Sequence, residues 1–464
     1  MRIEQVTTKC LSANAYYIES NGQAAIIDPM RDCQVFIDLA ASRNVQIDYI
    51  FETHFHADFI SGHLELTEKT GAQIVFGPTA KASFDFLEAK DNQVFKLGNI
   101  KIKVLHTPGH TLESSCFLII DENNQQQAVF TGDTLFIGDV GRPDLAVSSE
   151  LSKEDLSRLL YKSIQNKLIP LNDYCLVYPG HGAGSQCGKN LSKENFSTIG
   201  EQKKSNYALQ VNNEEDFIST LLNDLTDAPQ YFPKIARINK LGYQDIRGLI
   251  TKGYNSLPPE LFTQKSKVAK TIILDTRENS KFVQSHIPGS INIGLNGQFA
   301  VWVGTIVQNL NSPMLIITDE GKEEECIIRL ARVGYENVIG FLDGGIDKWI
   351  SEGYETTKIN NCCPLDFNAK KETESIIDVR TKNEYDSGHV EGAVNIPLAN
   401  LKDYLNQIDP NKKHYIYCKS GYRSSLACSL LQNEGIKVVN INKGFDGITG
   451  KSMDCACSKV TKNK

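Results

Sequence analysis

The sequence predicts the α/β fold class, with one large N-terminal domain followed by two smaller parallel-sheet domains. Three observations predict it. Short apolar stretches alternate with helical spacing in the first half of the chain. Four of these stretches run into glycine-containing turns that carry His or Asp, and the second half of the chain repeats itself with a spacing of 103 residues. We expect domains at 1–240, 266–358 and 359–464, with a linker over 241–265.

Length and composition limit the class of protein. The chain has 464 residues, 41% hydrophobic and 23% charged, with a formal net charge of −7 and twelve scattered cysteines. Nucleic-acid binding depends on clustered Lys and Arg, and no apolar run reaches the roughly 20 residues that span a bilayer. The N-terminus has no signal-peptide core, and scattered thiols suit a reducing compartment. We therefore expect a cytoplasmic protein without a nucleic-acid or membrane partner.

The first elements of the N-terminal domain alternate between strands and helices. Apolar stretches at 15–18 and 24–28 predict two paired strands around the turn at 20–22. Helical spacing over 35–43 and again over 64–70 predicts two helices on either side of the next strand. This alternation is typical of an α/β domain.

The strongest chemical signal lies between those two helices. An apolar strand over 48–51 leads into His54, His56 and Asp58. Catalytic groups of α/β proteins collect at the C-terminal ends of strands. Imidazole and carboxylate together are a common ligand set for transition metals. We therefore predict a metal site here.

Three later turns of the same domain present further ligand types. His110 follows the strand over 100–105, Asp133 ends an apolar run that begins at Val129, and His181 follows a Pro-Gly turn. Glycine-containing turns let the backbone approach closely while one side chain is aimed at a shared centre. We expect these side chains to converge with those of the first motif.

This order of motifs resembles the metallo-β-lactamase superfamily, whose signature is His-x-His-x-Asp-His followed by single His, Asp and His ligands. The resemblance covers about residues 1–240 and implies an αββα sandwich with the metal at one edge of the packed sheets. The chain departs from the signature at Phe59, where hydrolytic members carry the third histidine of the motif. A two-metal hydrolase would lose a nitrogen ligand there. One metal held by two histidines and one carboxylate fits a non-haem Fe(II) oxygenase site better.

Within the superfamily the chain is most similar to the persulfide dioxygenases. That resemblance implies one Fe(II) per chain, bound by His54, His110 and Asp133. Three neighbouring residues are then expected to orient ligands and water through hydrogen bonds, with plain polar packing as the alternative: His56, Asp58 and His181.

Arg142 follows the Asp133 turn closely. In the persulfide dioxygenases an arginine in this position lines the thiol-substrate pocket, so the resemblance implies that Arg142 binds a carboxylate or phosphate of the substrate. The alternative is a structural ion pair between Arg142 and Asp144 or Asp139.

From about residue 266 the chain contains two copies of one unit. Residues 272–277 match 375–380, and the segment that begins at His286 matches the one that begins at His389, both with a spacing of 103 residues. Each copy continues with another strand, a loop and a helix. This βαβ alternation implies two small parallel-sheet domains.

The two copies resemble rhodanese domains over about residues 266–460. The second copy carries the active loop between a strand and a helix, and its residues are Cys418, Lys419, Ser420, Gly421, Tyr422 and Arg423. A loop that coils into a helix N-terminus aims N–H groups at one sulfur, which lowers a thiol pKa and holds an anion. We predict Cys418 as the nucleophile and Arg423 as the positive charge for a sulfonate or persulfide. The four residues between them are expected to bind substrate, and a packed thiol at a strand end is the alternative for Cys418.

The first copy lacks this chemistry. From this loop onward the two copies are 99 residues apart, because the second copy lacks four residues between its strands. Asp319 stands at the position of Cys418 and Glu324 at the position of Arg423, so the loop is acidic and has no nucleophile. Cys326 falls inside the following helix, where a packed core thiol is expected. We interpret this copy as a pseudo-rhodanese that serves as a spacer or docking surface.

Two cysteine pairs remain. Cys362 and Cys363 lie between the copies, and Cys455 and Cys457 lie in the C-terminal tail. Such pairs could bind metal, and a zinc site would then require all four thiols to meet at one ion. The alternative is that these thiols relay sulfur.

The complete arrangement resembles the persulfide dioxygenase–rhodanese fusions of bacterial sulfide detoxification. The resemblance implies oxidation of a low-molecular-weight thiol persulfide (of glutathione, coenzyme A or bacillithiol) by dioxygen to sulfite. Cys418 would exchange sulfur between sulfite and thiosulfate, and a homo-oligomer is expected. Two other classes stay open: a mononuclear zinc thioesterase or lactonase, and a sulfur carrier that uses only Cys418.

Overall fold

The computed structural model describes residues 1–147, 149, 151–189, 191–211, 213–223, 225, 228–364, 367 and 374–450. Cys455 and Cys457 lie outside the described residues, so the two predictions for the cysteine pairs stay predictions. Residues 1–246, together with 330–334, form one compact unit, and the rest of the described chain forms a second. No helix among the described residues is long and apolar enough to cross a membrane.

Two six-stranded sheets form the first unit. The strands of the first sheet, in spatial order, are β1 (Arg2–Thr8), β2 (Ala13–Ser20), β3 (Gln23–Ile27), β4 (Gln46–Glu52), β5 (Gln73–Phe76) and β6 (Leu87–Glu88). Those of the second, again in spatial order, are β7 (Val94–Leu97), β8 (Ile100–His106), β9 (Ser115–Ile120), β10 (Gln126–Gly132), β11 (Leu176–Pro179) and β12 (Ser197–Thr198).

The two sheets enclose the main core of this unit. Phe51 of the first sheet and Phe117 of the second bring their ring centroids to 4.8 Å, and the alternating inward residues of both sheets join the same cluster. The outer face of the first sheet is covered by α1 (Gln34–Ser42) and α2 (His63–Thr70), and that of the second by α3 (Lys153–Ser163). The predicted αββα sandwich is confirmed.

Further helices complete the unit. They are a π-helical turn at Ile164–Leu168, α4 (Ile199–Ser205), a 3₁₀ turn at Tyr207–Leu209, α5 (Glu214–Leu222) and α6 (Phe232–Leu241). Next along the chain comes α7 (Ile246–Gly253), in which the division between the two units falls.

Two parallel five-stranded sheets form the second unit. The first contains β13 (Ser256–Leu257), β14 (Ile272–Asp275), β15 (Ile291–Asn292), β16 (Met314–Ile317) and β17 (Val338–Leu342). The second contains β18 (Asn360–Cys362), β19 (Glu374–Asp378), β20 (Ala393–Asn395), β21 (Lys413–Tyr417) and β22 (Lys437–Ile441). Their spatial orders are 13-17-16-14-15 and 18-22-21-19-20, so the predicted sequence repeat is a repeat of one topology.

The helices of this unit connect its strands. They are α8 (Pro259–Ser266), α9 (Asn279–Gln284), α10 (Phe299–Ile306), α11 (Glu323–Arg332), α12 (Gly345–Ser351), α13 (Lys382–Asp386), a 3₁₀ helix at Leu398–Gln407, α14 (Tyr422–Asn433) and α15 (Gly444–Ile448).

The predicted linker over 241–265 is wrong in its second half. β13 pairs in parallel with β17, and α8 follows it, so the first copy begins at Ser256 rather than at residue 266. Leu257 and Phe262 are fully buried in the core of that copy. Pro259 is compatible with the first turn of a helix, where its missing N–H costs nothing.

Candidate active sites

The three predicted iron ligands lie together at the C-terminal ends of strands. His54 follows β4, His110 follows β8 and Asp133 follows β10. Asp133 Oδ2 is 3.5 Å from His110 Nε2 and 4.0 Å from His54 Nε2, and all three side chains are buried. These are the spacings of ligand atoms that share one cation.

Hydrogen bonds fix which ring nitrogen of each histidine faces this centre. The Thr53 hydroxyl donates to Asp28 Oδ2 at 2.8 Å, so its oxygen accepts from His54 Nδ1–H at 3.0 Å. His110 Nδ1–H donates to the Arg142 carbonyl oxygen at 2.9 Å. Both histidines therefore turn an unprotonated Nε2 toward Asp133. Burial lowers the pKa of each imidazole, so both are neutral, as metal ligation requires.

These residues fit a divalent metal ion. His110 Nε2 and Asp133 Oδ2 are buried and have no hydrogen-bond partner among the described residues. Such atoms are rare in folded proteins unless an ion or water satisfies them. Burial alone would raise the pKa of Asp133, but the charge and the hydrogen bond of His181 hold it far below its usual range, so the carboxylate is ionised. Iron and zinc both accept this ligand set.

His181 and Asp58 support the carboxylate of Asp133. His181 Nδ1 donates to Asp133 Oδ1 at 2.7 Å, and its Nε2 bonds to Asp58 Oδ2 at 2.8 Å. Burial opposes the charge, yet the two carboxylates raise the pKa of His181 to about 10. A Cβ at Gly180 would lie 2.7 Å from Asp133 Oδ1, so glycine is needed for this close packing.

His56 faces a different group of residues. Its Nε2 lies 3.2 Å from Asp28 Oδ1 and 3.5 Å from Glu52 Oε2. Burial opposes protonation, but these carboxylates raise the pKa of His56 well above its ordinary value. The ring of Phe59 stacks on His56 with a centroid separation of 4.2 Å. His56 therefore neutralises buried acid instead of adding a further nitrogen to the three-ligand centre.

Arg142 forms the ion pair that the sequence left as an alternative. Its Nε and Nη2 donate to the two carboxylate oxygens of Asp144 at 2.6 and 2.7 Å. Nη1 donates to the Gln186 carbonyl at 3.1 Å, while the Arg142 carbonyl accepts from His110. The structure therefore places Arg142 beside the metal ligands, and its contact with substrate stays a prediction.

The Cys418 loop lies between β21 and α14. Cys418 is buried, and its Sγ accepts the Gly421 N–H at 3.1 Å. Gly444 packs beneath the loop, where a Cβ would lie 2.2 Å from the Cys418 carbonyl oxygen. The sulfur is thus held at a helix N-terminus, where N–H groups stabilise an anion.

Arg423 forms an ion pair with Glu384. Its Nη1 and Nη2 donate to the two carboxylate oxygens of Glu384 at 2.6 and 2.8 Å. Burial would raise the pKa of Glu384, but the guanidinium lowers it to about 2. The pair holds the positive charge close to the loop, although Glu384 offsets part of it.

Of the other loop residues, Lys419 and Ser420 are exposed. The sequence predicts substrate contact for Tyr422, but its hydroxyl donates to the Gly294 carbonyl of the first copy at 2.8 Å. In that first copy, Asp319 pairs with Lys281 at 2.7 Å, and Cys326 is fully buried with its pKa raised by burial. The acidic loop therefore carries no accessible thiol.

Comparisons with known proteins cover both units. The family model for the metallo-beta-lactamase superfamily matches residues 8–181, and the model for the rhodanese-like domain matches 259–352 and 364–451. A crystal structure named metallo-beta-lactamase from Staphylococcus aureus subsp. aureus COL is similar at 32% identity and a TM-score of 0.64, covering 74% of this chain and 98% of that one.

The chain belongs to the metallo-β-lactamase superfamily.

Two more relatives match the metallo-β-lactamase domain. The hydroxyacylglutathione hydrolase of Dictyostelium discoideum is 33% identical over 183 residues, which is 38% of this chain and 65% of that protein. A structure titled ETHE1 from Myxococcus xanthus is 29% identical with a TM-score of 0.44, covering 52% of this chain and 98% of that one. The metallo-β-lactamase domain is thus followed by two rhodanese-like domains, as the sequence predicts.

Sequence reasoning missed three residues of the metallo-β-lactamase site. Asp28 and Glu52 hold His56, and Cys187 forms a second potential ligand group with Asp58 and His181. Burial, reinforced by Asp58 and Asp133, raises the pKa of the Cys187 thiol well above its ordinary value. The available signals were weak: Asp28 and Glu52 end two apolar strands, and Cys187 lies in a glycine-containing turn just after His181.

Proposed function

We propose that this protein is a persulfide dioxygenase coupled to a sulfurtransferase. One Fe(II) bound by His54, His110 and Asp133 would support oxidation of a low-molecular-weight thiol persulfide by dioxygen and water to sulfite and the free thiol. The observation that carries the proposal is the ligand set itself. It contains two neutral histidines and one carboxylate, and Phe59 stacks on His56 where a second nitrogen ligand would be needed for two-metal hydrolysis.

The chain's own residues have definite roles in this scheme. Thr53 and the Arg142 carbonyl hold the two histidines in the ligating tautomer. His181 donates to Asp133 and keeps the other carboxylate oxygen free for the metal. When bound, the iron supplies open coordination positions for dioxygen and a substrate sulfur.

The second rhodanese-like domain would carry the sulfur transfer. The Cys418 thiolate attacks the terminal sulfur of a thiol persulfide, the S–S bond of the donor breaks and the free thiol leaves, so that Cys418 becomes a persulfide. Attack by sulfite on the outer sulfur of that persulfide then gives thiosulfate and regenerates the thiolate. The Gly421 N–H and the adjacent helix N-terminus support the anionic sulfur in both forms. The residues also permit the reverse flow, from thiosulfate to a thiol persulfide.

A second candidate is a mononuclear hydrolase of thioesters. The relative from Dictyostelium discoideum is named a hydroxyacylglutathione hydrolase, and a zinc-bound hydroxide could use the same three ligands. Phe59 weighs against this candidate because hydrolysis in that group uses a second metal.

Two variants test the metal site and the cysteine separately. His110→Ala removes a metal ligand, and Cys418→Ser removes the thiol, while each leaves the other domain intact. We expect His110→Ala to lose oxygen uptake and keep sulfur transfer, and Cys418→Ser to show the reverse. Oxygen uptake that survives His110→Ala would refute the iron assignment, and sulfur transfer that survives Cys418→Ser would refute the role of the cysteine.

A further inference from the structure

The helix that carries the active loop of the second rhodanese-like domain lies against the first. The residues of α14 that bond to the first copy each lie three or four positions from another member of the set, so they share one helix face: Tyr422, Ser425, Ser429, Gln432 and Asn433. Ser425 and Ser429 are fully buried. The contact is therefore a packed interface built from hydrogen-bonded side chains.

One asparagine shows how the first copy is adapted to this contact. Asn292 and its repeat partner Asn395 make the same two bonds, donating Nδ2 to the carbonyls of an Asp and an Arg on the preceding strand end. In the first copy the carboxamide oxygen of Asn292 also accepts from Ser425 Oγ at 3.0 Å. The asparagine that holds the strand ends together in both copies thus also contacts α14 in the first copy, through Asn292.

Tyr422, inside the loop itself, inserts into the first copy. Its hydroxyl donates to the Gly294 carbonyl at 2.8 Å, and its ring lies against Gly297. A Cβ at Gly297 would lie 2.4 Å from the tyrosine ring. Burial raises the pKa of Tyr422, so the hydroxyl keeps its proton and remains a donor. No positive φ marks Gly297, so a glycine here is explained by space alone.

The first copy also donates a hydrogen bond to Gly421, the residue whose N–H reaches Cys418 Sγ. The Gly421 carbonyl accepts from Asn279 Nδ2 of the first copy at 3.3 Å, and from Ser424 Oγ and Ser425 N of its own helix at 3.1 Å each. Gly421 has a left-handed φ of +108°, so its conformation depends on such restraints. Fixing its carbonyl fixes the backbone that aims its N–H at Cys418.

We propose that the first rhodanese-like copy, which has no nucleophile of its own, holds the Cys418 loop in its anion-binding conformation, with Tyr422 and Asn279 as the positioning residues. The degenerate copy then has a role that a spacer would not have. Its importance for turnover rests on the proposed sulfur transfer, but its effect on Cys418 can be measured without any sulfur substrate.

The test uses the full-length protein and two substitutions in the first copy. Gly297→Ala pushes on the ring of Tyr422, and Asn279→Ala removes the donor to Gly421. The matched control is Gly253→Ala, whose Cβ would lie 3.2 Å from the Val338 side chain and away from the loop. The readout is the rate of Cys418 alkylation by iodoacetamide as a function of pH, followed by mass spectrometry of the Cys418 peptide. The kcat and KM for thiosulfate provide a second readout.

We expect both variants to slow Cys418 alkylation near pH 7 by about tenfold, because the loop N–H no longer stabilises the sulfur anion. We also expect kcat for thiosulfate to fall by a larger factor than the factor by which KM changes. Gly253→Ala should alkylate like the parent protein. If Gly297→Ala does not fold, the alkylation profile of Tyr422→Phe, which keeps the ring and removes the hydroxyl, tests the same contact. Unchanged alkylation profiles in folded Asn279→Ala and Tyr422→Phe would overturn the proposal. Slowed alkylation in a protein that transfers no sulfur would uphold the positioning and refute the proposed function.

Discussion

Phe59 and His56 separate the two chemistries open to the metallo-β-lactamase domain. Phe59 is buried and stacks on His56, and His56 in turn pairs with Asp28 and Glu52. The position of the missing nitrogen ligand thus holds a phenyl ring, and that ring stacks on an imidazole held by buried carboxylates. The remaining second-site residues, Asp58 and His181, are bonded to each other.

A histidine at position 59 should therefore restore part of a second metal site. We expect Phe59→His to bind a second metal ion per chain and to gain thioester hydrolysis while losing oxygen uptake, because Asp58 and His181 would then have a nitrogen partner. Metal content by mass spectrometry and the two activities give the result. Phe59→Leu, which removes the ring without adding a ligand, is the control. A Phe59→His protein that still binds one metal would contradict this account of the residue.

The pair between Arg423 and Glu384 predicts a pH dependence of stability. The pKa of Glu384 falls from its ordinary value of 4.5 to about 2, so the pair stabilises the fold above about pH 4.5 and loses this contribution as the pH falls toward 2. Because the pair is partly exposed, we expect Glu384→Gln to cost about 1–2 kcal/mol at pH 7. The difference from the parent should shrink between pH 4.5 and 2, as measured by urea unfolding.

The control for this pair is Glu374→Gln, since Glu374 meets Lys413 at 3.6 Å in a looser contact of the same domain. Its effect on the free energy of unfolding should be smaller at every pH. A Glu384→Gln difference that stayed constant down to about pH 2 would show that the guanidinium does not lower this pKa.

At the scale of elements, the metal ligands depend on turns that only glycine allows. Gly132 has a φ of +48°, and a Cβ there would lie 2.4 Å from Thr53 Oγ1, the group that orients His54. The end of β10, just before Asp133, therefore packs against Thr53 with no room for a side chain at position 132.

We expect Gly132→Ala to lose the metal and to be destabilised by more than the strain of a positive φ, which costs about 1–2 kcal/mol by itself. Gly71→Ala is the matched control, because Gly71 has a φ of +75° with open space around its Cα. That control should lose about 1–2 kcal/mol and keep its metal. Equal metal content in the two variants would mean that the Gly132 turn does not position the ligands.

The sequence was sufficient to predict most elements and the convergence of His54, His110 and Asp133, because each of these residues follows an apolar strand. The sequence was not sufficient where contacts between distant residues determine a strand or a side-chain partner. Ser256–Leu257 is too short to show a strand pattern, and only its pairing with β17 makes it one. The partners of His56 were missed because Asp28 and Glu52 reach it through the packing of two strands, and the hydroxyl of Tyr422 finds its acceptor in the other repeat.

At the scale of the whole molecule, the chain joins a candidate metal site and Cys418 through a rhodanese-like domain that has Asp319 at the position of that cysteine. A tether raises the local concentration of each site's product at the other, whatever their relative placement. Sulfite from the metal centre is a sulfur acceptor, so the proposed activities form a sequence in which one site consumes what the other makes. Iron and zinc both accept this ligand set, so the reaction itself tests the central claim.

Oxygen consumption by protein of known metal content tests that claim most directly. The protein is given glutathione persulfide and then coenzyme A persulfide, and uptake is recorded across preparations with different iron content. We predict uptake that rises in proportion to iron, yields sulfite, and is absent from His110→Ala and from zinc-loaded protein. No uptake from fully iron-loaded protein, together with cleavage of a thioester, would contradict the dioxygenase assignment and favour the hydrolase.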